Sequence, residues 1–345
     1  MANDATFDIG CRLIDRIRGA ACYHGIDTRR ATERMLCEEI SRGLSKHLIP
    51  KHMIKGGHLY PQVSRETGDL DILFERKIEP HEMCRALEAM KPDLASKGIV
   101  LESYSKTPKP LWIDGDGGDR YDIIAKAGRT RINTHLDVTG GTNLFPKFRP
   151  ERRHGSVFYR DQVPLLGLYQ SYESQAADKL AAVVLDPATT RWKDFRDLSM
   201  LFAMKLDASL IGAELVHKLR RKIVSDDEIM ALLPEAPEVF AYEFALDKAQ
   251  VWEHWRDKNA KQMDDFTDVL CDGRHLYLDV RKAMATTLEN RRERHKRAGH
   301  KPTVEEIRQL RVKAQLVIDQ GQRVVRLGDY RSQEHSAASY RPKGF

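Results

Sequence analysis

Two aspartates one residue apart open the apolar run DLDILF, residues 69–74. If the run is a strand, Asp69 and Asp71 face one way while Leu70 and Ile72 face the other. Neighbouring like charges repel, so the pair does not stabilise the strand, and a bound cation would remove the conflict. Phosphoryl or nucleotidyl transfer from a nucleoside triphosphate (NTP) uses such an arrangement. Two divalent metals about 3.5–4 Å apart can hold the triphosphate, activate a hydroxyl and stabilise the leaving pyrophosphate. Magnesium takes oxygen ligands, so the chain must present carboxylates on a rigid support. A third carboxylate has to come from another strand. Asp137 in RINTHLDVTGG is the candidate, because alternation places His135, Asp137 and Thr139 on one face and Ile132, Leu136 and Val138 on the other.

The phosphates also need donors. Gly56 and Gly57 have no side chains, so their backbone N–H groups can approach a triphosphate closely. Each part alone is a weak signal. The order carries more weight: a glycine turn, a short spacer, a D-x-D strand, then a later strand with a third acid.

The elements that must position these residues follow from periodicity. Residues 5–48 carry apolar positions at helical spacings of three and four, and Pro50 ends the pattern. HMIKGG reads as a short strand running into a glycine turn, and LYPQVSRE as the possible start of a helix. DLDILFER reads as a strand, EPHEMCRALEAMKPDLASKG as one helix, and IVLESYSK as a strand. Residues 110–141 suggest two or three strands joined by glycine turns. After Gly167 the spacing is helical throughout. The expected architecture is α+β: a small mixed-sheet domain with N-terminal helices over residues 1–160, a helical domain over 161–285, and a basic helical extension over 286–345.

The chain has 345 residues, 41% hydrophobic and 31% charged, which suits a soluble globular protein. No apolar run approaches the ~18 residues of a membrane span, and MANDATFDIG lacks the basic and apolar segments of a secretion signal. The five cysteines are widely spaced without a CxxC pair, so buried free thiols in a reducing cytoplasm are expected rather than disulfides or zinc. The net charge of +6 is modest, but ENRRERHKRAGHKP concentrates basic residues in the last quarter. That suits either a polyanion partner or a solvated helix. DGDGGD (114–119) would place Ala125 where a calcium loop needs its glutamate, so a glycine hairpin explains it better. Ser156, Ser171 and Ser174 lack a G-x-S-x-G context. Trp192, Trp252 and Trp255 fall in helical patterns and read as core.

Residues 54–71, IKGGHLYPQVSRETGDLD, resemble the first motif of the AbiEii/AbiGii nucleotidyltransferase toxins, a branch of the polymerase-beta-like superfamily found in type IV toxin–antitoxin and abortive-infection systems. Gly56, Gly57, Arg65, Thr67, Asp69 and Asp71 match in order. His58 stands where the family usually has Thr or Ser. YESQAADKLAAVVLDPATTRWKDFRDLSML resembles the family's helical segment, with Lys179 and Arg196-Asp197 in the matching places, though LSML lacks a second acid.

The resemblance implies a magnesium-requiring, NTP-dependent transferase, with Asp69, Asp71 and Asp137 as ligands of two ions. It also implies nucleotide contacts from Gly56, Gly57, His58, Arg65, Thr67 and Lys179. Lys179 would neutralise or orient the triphosphate. Asp197 would fix Lys179, accept a proton or position the acceptor hydroxyl; alternatively it pairs with Lys193 on its own helix. Arg65 would tie down the D-x-D loop, and phosphate added to Thr67 would block the triphosphate. The implied acceptor is RNA, with the tRNA 3′ end the first expectation, and a cognate antitoxin the implied partner of a cytoplasmic toxin. Two rivals stay open: transfer to a protein or small-molecule hydroxyl, and a catalytically inactive nucleic-acid-binding module.

Overall fold

The computed structural model describes residues 2–48, 51–60, 67–108, 111–113, 116–141, 151–153, 167–186, 191–220, 225–259 and 265–299. The chain divides into two units, Met1–Thr287 and Leu288–Phe345. Of the second, residues 288–299 are described and are helical, with Arg291, Arg292 and Arg294 exposed. The rest of the basic C-terminal quarter lies outside the described residues.

In the first unit the strands are β1 (His52–Lys55), β2 (Asp69–Phe74), β3 (Ile99–Lys106), β4 (Leu111–Ile113), β5 (Asp116–Ala127), β6 (Thr130–Gly140), β7 (Glu151–Arg153) and β8 (Gly167–Tyr169). They form one mixed sheet in the order β3-β5-β6-β2-β1-β8-β7, with β4 paired to β5 alone. β2 runs parallel to β6, and β1 parallel to β8; the other pairs are antiparallel.

The two faces of this sheet differ. Leu70, Ile72, Ile132 and Leu136 are buried, and helix α2 (Thr28–His47) covers their face. Met35, Leu36, Cys37 and Ile40 of α2 are fully buried, and the Cys37 thiol lies 3.1 Å from the Thr134 hydroxyl. Asp27 caps α2, its carboxylate accepting the Arg30 N–H at 2.9 Å. Helix α1 (Ala2–Tyr23) packs beside α2 against β5. The opposite face carries the polar residues.

Helices α5 (Tyr172–Val184), α6 (Trp192–Ala203), α7 (Ala208–Leu219), α8 (Asp226–Leu232), α9 (Tyr242–Asn259) and α10 (Phe266–Gly299) make up the later part. An aromatic cluster joins α6, α9 and α10: Trp192, Phe195, Phe244, Trp252 and Phe266 stack or meet edge to face at centroid distances of 4.8–6.4 Å. No helix among the described residues is long and apolar enough to cross a membrane.

Three expectations change. The helix expected after Ile78 is two, α3 (Pro80–Ala89) and α4 (Lys91–Ser96). Pro92 has no N–H for the Glu88 carbonyl and its ring crowds that oxygen. β7 and β8 carry no alternating pattern long enough to read, and they extend the sheet beyond β1. A 3-10 turn spans Gly56–Leu59 after β1, and the possible helix from Leu59 runs onto residues 61–66, outside the described residues. The cysteines are free, but Cys22 and Cys271 are exposed rather than buried.

Candidate active site

The parallel register of β2 and β6 sets Asp71 beside Asp137, and Asp69 beside His135. Paired residues of neighbouring strands point to the same face, so the three acids predicted from the sequence share one surface. The crowding has a measurable consequence. Burial and the adjacent Asp69 charge push the Asp71 carboxyl up to about 6 against an ordinary 3.8, although Lys55 and Lys179 oppose the shift. Lys55 is the register partner of Asp71 on its other side. The Thr67 hydroxyl, expected at the mouth of the site, is buried and donates to Asp69 Oδ1 at 2.6 Å.

Asp137 is held from its far side. Arg120 on β5 is its register partner. The guanidinium donates Nε to Oδ1 at 2.7 Å and Nη2 to Oδ2 at 2.6 Å, a two-pronged clasp on a nearly buried carboxylate. The same pairing raises the basicity of Arg120, with Asp69 and Asp71 adding to it. Among the described residues no three His, Cys, Asp or Glu side chains are gathered as a ready metal cage. Asp137 is in place on its strand beside Asp71, and its oxygens are bonded to Arg120.

Gly56 opens the turn after β1 with φ +69°, a conformation that favours glycine. A Cβ there would stand 1.9 Å from Asp71 Oδ2. The backbone of the glycine pair thus lies directly against the carboxylate. His58, in the place of the expected hydroxyl residue, is buried within the same turn.

Lys179 comes from α5 and faces the carboxylates across a cleft of about 390 Å³. Its ammonium group is gripped by Asp194, and Asp197 Oδ2 lies 3.1 Å away. Asp197 is wholly buried behind Lys179. Its pairing is with Lys179 rather than with Lys193. Arg191 Nε lies 2.5 Å from Asp194 Oδ2, and Arg191 and Lys193 join Lys179 on the cleft wall. The cleft therefore has an acidic wall on the sheet, faced by Lys179, Arg191 and Lys193 with Asp194 among them. Trp192 and Trp255, expected as core only, also line it.

The donor set fits a hard divalent cation at Asp69 and Asp71. They offer carboxylate oxygens on one rigid strand. Asp137 adjoins them on β6 with Arg120 bonded to both of its oxygens.

Of the residues predicted from sequence, the fold brings Gly56, Gly57, Asp69, Asp71 and Lys179 to the cleft. Asp137 adjoins them on β6, and Asp197 stands behind Lys179. Arg65 lies outside the described residues. Arg120 and Asp194 were not foreseen, yet both left a signal. β5 and β6 are joined at the Gly128–Arg129 turn, and counting equally back along each strand sets Arg120 opposite Asp137. Asp194 precedes Asp197 by three residues on one helix, so both face the same way.

The family described as "Nucleotidyl transferase AbiEii toxin, Type IV TA system" matches residues 54–272. No curated protein matches the chain by sequence. Among solved structures, JHP933 from Helicobacter pylori is similar with 14% identity and a TM-score of 0.44, over 78% of this chain and 99% of that one. MenT4, a nucleotidyltransferase toxin of Mycobacterium tuberculosis H37Rv, is similar with 17% identity and a TM-score of 0.41, over 75% of this chain and 93% of that one.

Proposed function

The chain belongs to the AbiEii nucleotidyltransferase toxin family of type IV toxin–antitoxin systems, and from that premise we propose that it transfers nucleotides from an NTP to the 3′ hydroxyl of an RNA, the tRNA 3′ end first among candidates, with magnesium as cofactor. Such an addition would stop aminoacylation and arrest growth until a cognate antitoxin intervenes. The toxin would act in the cytoplasm, where its RNA and NTP are found.

The observation that supports this reading most is the pairing of two opposed walls across one cleft, Asp69 and Asp71 on β2 and the Lys179–Arg191–Lys193 cations on α5 and α6. Asp69 and Asp71 would hold the metal, with Asp137 added on release from Arg120. The bound ion would supply charge neutralisation for the triphosphate and lower the barrier to deprotonating a hydroxyl. The Gly56–Gly57 backbone would pack against the phosphates. The acceptor oxygen attacks the α-phosphorus, a new P–O bond forms, and the bond to the pyrophosphate oxygen breaks. Asp137, freed of Arg120, is placed to receive the hydroxyl proton. The cationic wall would take up the negative charge of the departing pyrophosphate, with Asp194 and Asp197 holding Lys179 in place.

The test is incubation of the full chain with each of four labelled NTPs and total RNA, with magnesium or with chelator. Labelled RNA that depends on magnesium and vanishes with Asp69→Ala is expected. Label on protein or on a small molecule instead, or RNA labelling indifferent to Asp69→Ala, overturns the proposal.

A further inference from the structure

The face of β6 that bears Asp137 continues past the cleft. Arg131, Asn133 and His135 lie on it at every second residue and are exposed. At about 3.3 Å per residue, Arg131 sits about 20 Å along the strand from Asp137. β2 begins at Asp69, opposite His135. Among the described residues no strand pairs with 130–134 on that side, and Gly68 meets the gap, its carbonyl accepting the Thr134 hydroxyl at 2.6 Å.

A cavity of about 450 Å³ opens in this gap, lined by Arg18 of α1, by Arg29 and Arg30 at the start of α2, and by Arg131 and His135 of β6. The acid among them is Glu33, which is buried and holds two of the arginines: Arg30 Nη1 at 2.9 Å and Arg29 Nε at 3.7 Å. Four arginines thus line the cavity with one carboxylate: Arg30 is hydrogen-bonded to it, Arg29 pairs with it more loosely, and Arg18 pairs with Asp15 at 3.4 Å. Guanidinium forks match phosphate oxygens. The cavity reaches Gly68 and His135, the chain neighbour and the register partner of Asp69. The Lys179 cleft approaches Asp69 from the β1 side and this cavity from the β6 side, since β2 lies between those strands. Its volume is of the scale that takes a small ligand, so it admits nucleotides singly and not a duplex.

We propose that the Arg18–Arg29–Arg30–Arg131 cavity seats the phosphodiester backbone of a single-stranded RNA 3′ end and delivers its terminal hydroxyl to the carboxylates from the side opposite the triphosphate. The assignment rests on the nucleotidyl-transfer reading given above and names where its acceptor binds. Arg29 and Arg131 are exposed; Arg29 also pairs with the buried Glu33, so reversing its charge removes that pair as well.

The experiment measures fluorescence anisotropy of a labelled hairpin RNA with a single-stranded 3′ overhang, and of the same hairpin ended blunt, without NTP or magnesium. The full wild-type chain is compared with the Arg29→Glu/Arg131→Glu and Arg29→Lys/Arg131→Lys variants. We expect about tenfold or greater loss of overhang binding in the glutamate variant, and a salt dependence shallower by about two phosphate contacts. Triphosphate binding should not change, thermal stability should fall slightly through loss of the Arg29–Glu33 pair, and the lysine variant should keep most of the affinity. Equal binding by wild type and glutamate variant, equal loss for blunt and overhang RNA, or no binding by wild type overturns the assignment. The two readings fail separately. RNA labelling undiminished in the glutamate variant sinks the cavity and leaves the transferase standing. Arginine-dependent overhang binding by a chain that labels no RNA does the reverse.

Discussion

Arg120 clasps Asp137 through two hydrogen bonds of 2.7 and 2.6 Å, while Asp137 stands in register beside Asp71. The guanidinium thus supplies positive charge at the edge of a cluster of three acids. Replacing it exposes their repulsion. Arg120→Ala should lower metal-free stability at neutral pH by about 1–2 kcal/mol, a partly exposed pair being worth less than a buried one. Added magnesium should raise the melting temperature of this variant more than that of wild type, since the ion then meets a carboxylate without a competing cation. Differential scanning fluorimetry with and without magnesium reads both effects.

Asp71 gives a pH signature. Its carboxyl titrates at 3.8 in an unstructured chain and at about 6 in the fold. Between those values the native state keeps a proton that the unfolded state has lost, so this group's contribution to stability falls as pH rises through the window and is constant above it. The melting temperature of the metal-free protein should therefore decline relative to Asp71→Asn between about pH 4 and about pH 6. Above that range Asp71→Asn should be the more stable protein and still be inactive. Parallel curves for the two proteins would contradict the assignment.

Lys179 is boxed by Asp194 and Asp197, both buried. Lys179→Met leaves two buried carboxylates short of a cation and should cost about 3 kcal/mol or more. The double variant Lys179→Met/Asp197→Asn should recover part of that loss in urea unfolding. Neither should transfer nucleotides, which separates the role in stability from the role in the cleft.

Gly56→Ala tests the close approach in the turn. The substitution drives a methyl group against Asp71 Oδ2 at a positive φ. Transfer should fall about a hundredfold, as expected when a reacting geometry is displaced by about 1 Å. The loss in stability should stay near 1–2 kcal/mol. Activity near the wild-type level would show that the glycine does not shape the phosphate cradle.

Thr67 is buried and donates to Asp69. Thr67→Val should therefore weaken magnesium binding in calorimetry by releasing Asp69 to rotate, whereas Thr67→Glu should weaken triphosphate binding by adding negative charge beside the pair.

The sequence made the D-x-D strand, its glycine turn and the lysine helix legible because each follows a local rule: period two, a glycine pair, and period 3.6. Asp137 was legible through the alternation of β6. What escaped was set by distant pairing. Arg120 matters because β5 returns along β6, and Asp194 because α6 brings it to α5. The arginine cavity depends on β2 starting late against β6, a fact of sheet register that no window of residues contains. β7 and β8 are three residues each, too short for any period to declare itself.

β8 is one of the shortest strands, yet it lies parallel to β1, and the chain leaves it almost at once for α5. The Gln170 N–H is bonded to the Ile54 carbonyl at 2.9 Å, and the Tyr172 hydroxyl to the Leu59 carbonyl at 3.0 Å. The helix bearing Lys179 is therefore bolted to the same ribbon of backbone that leads into the glycine turn. Both jaws of the cleft are thus tied to the same strand by these hydrogen bonds. A nucleotide would meet a gauge anchored on one strand, and selection among ligands would proceed by fit at that gauge.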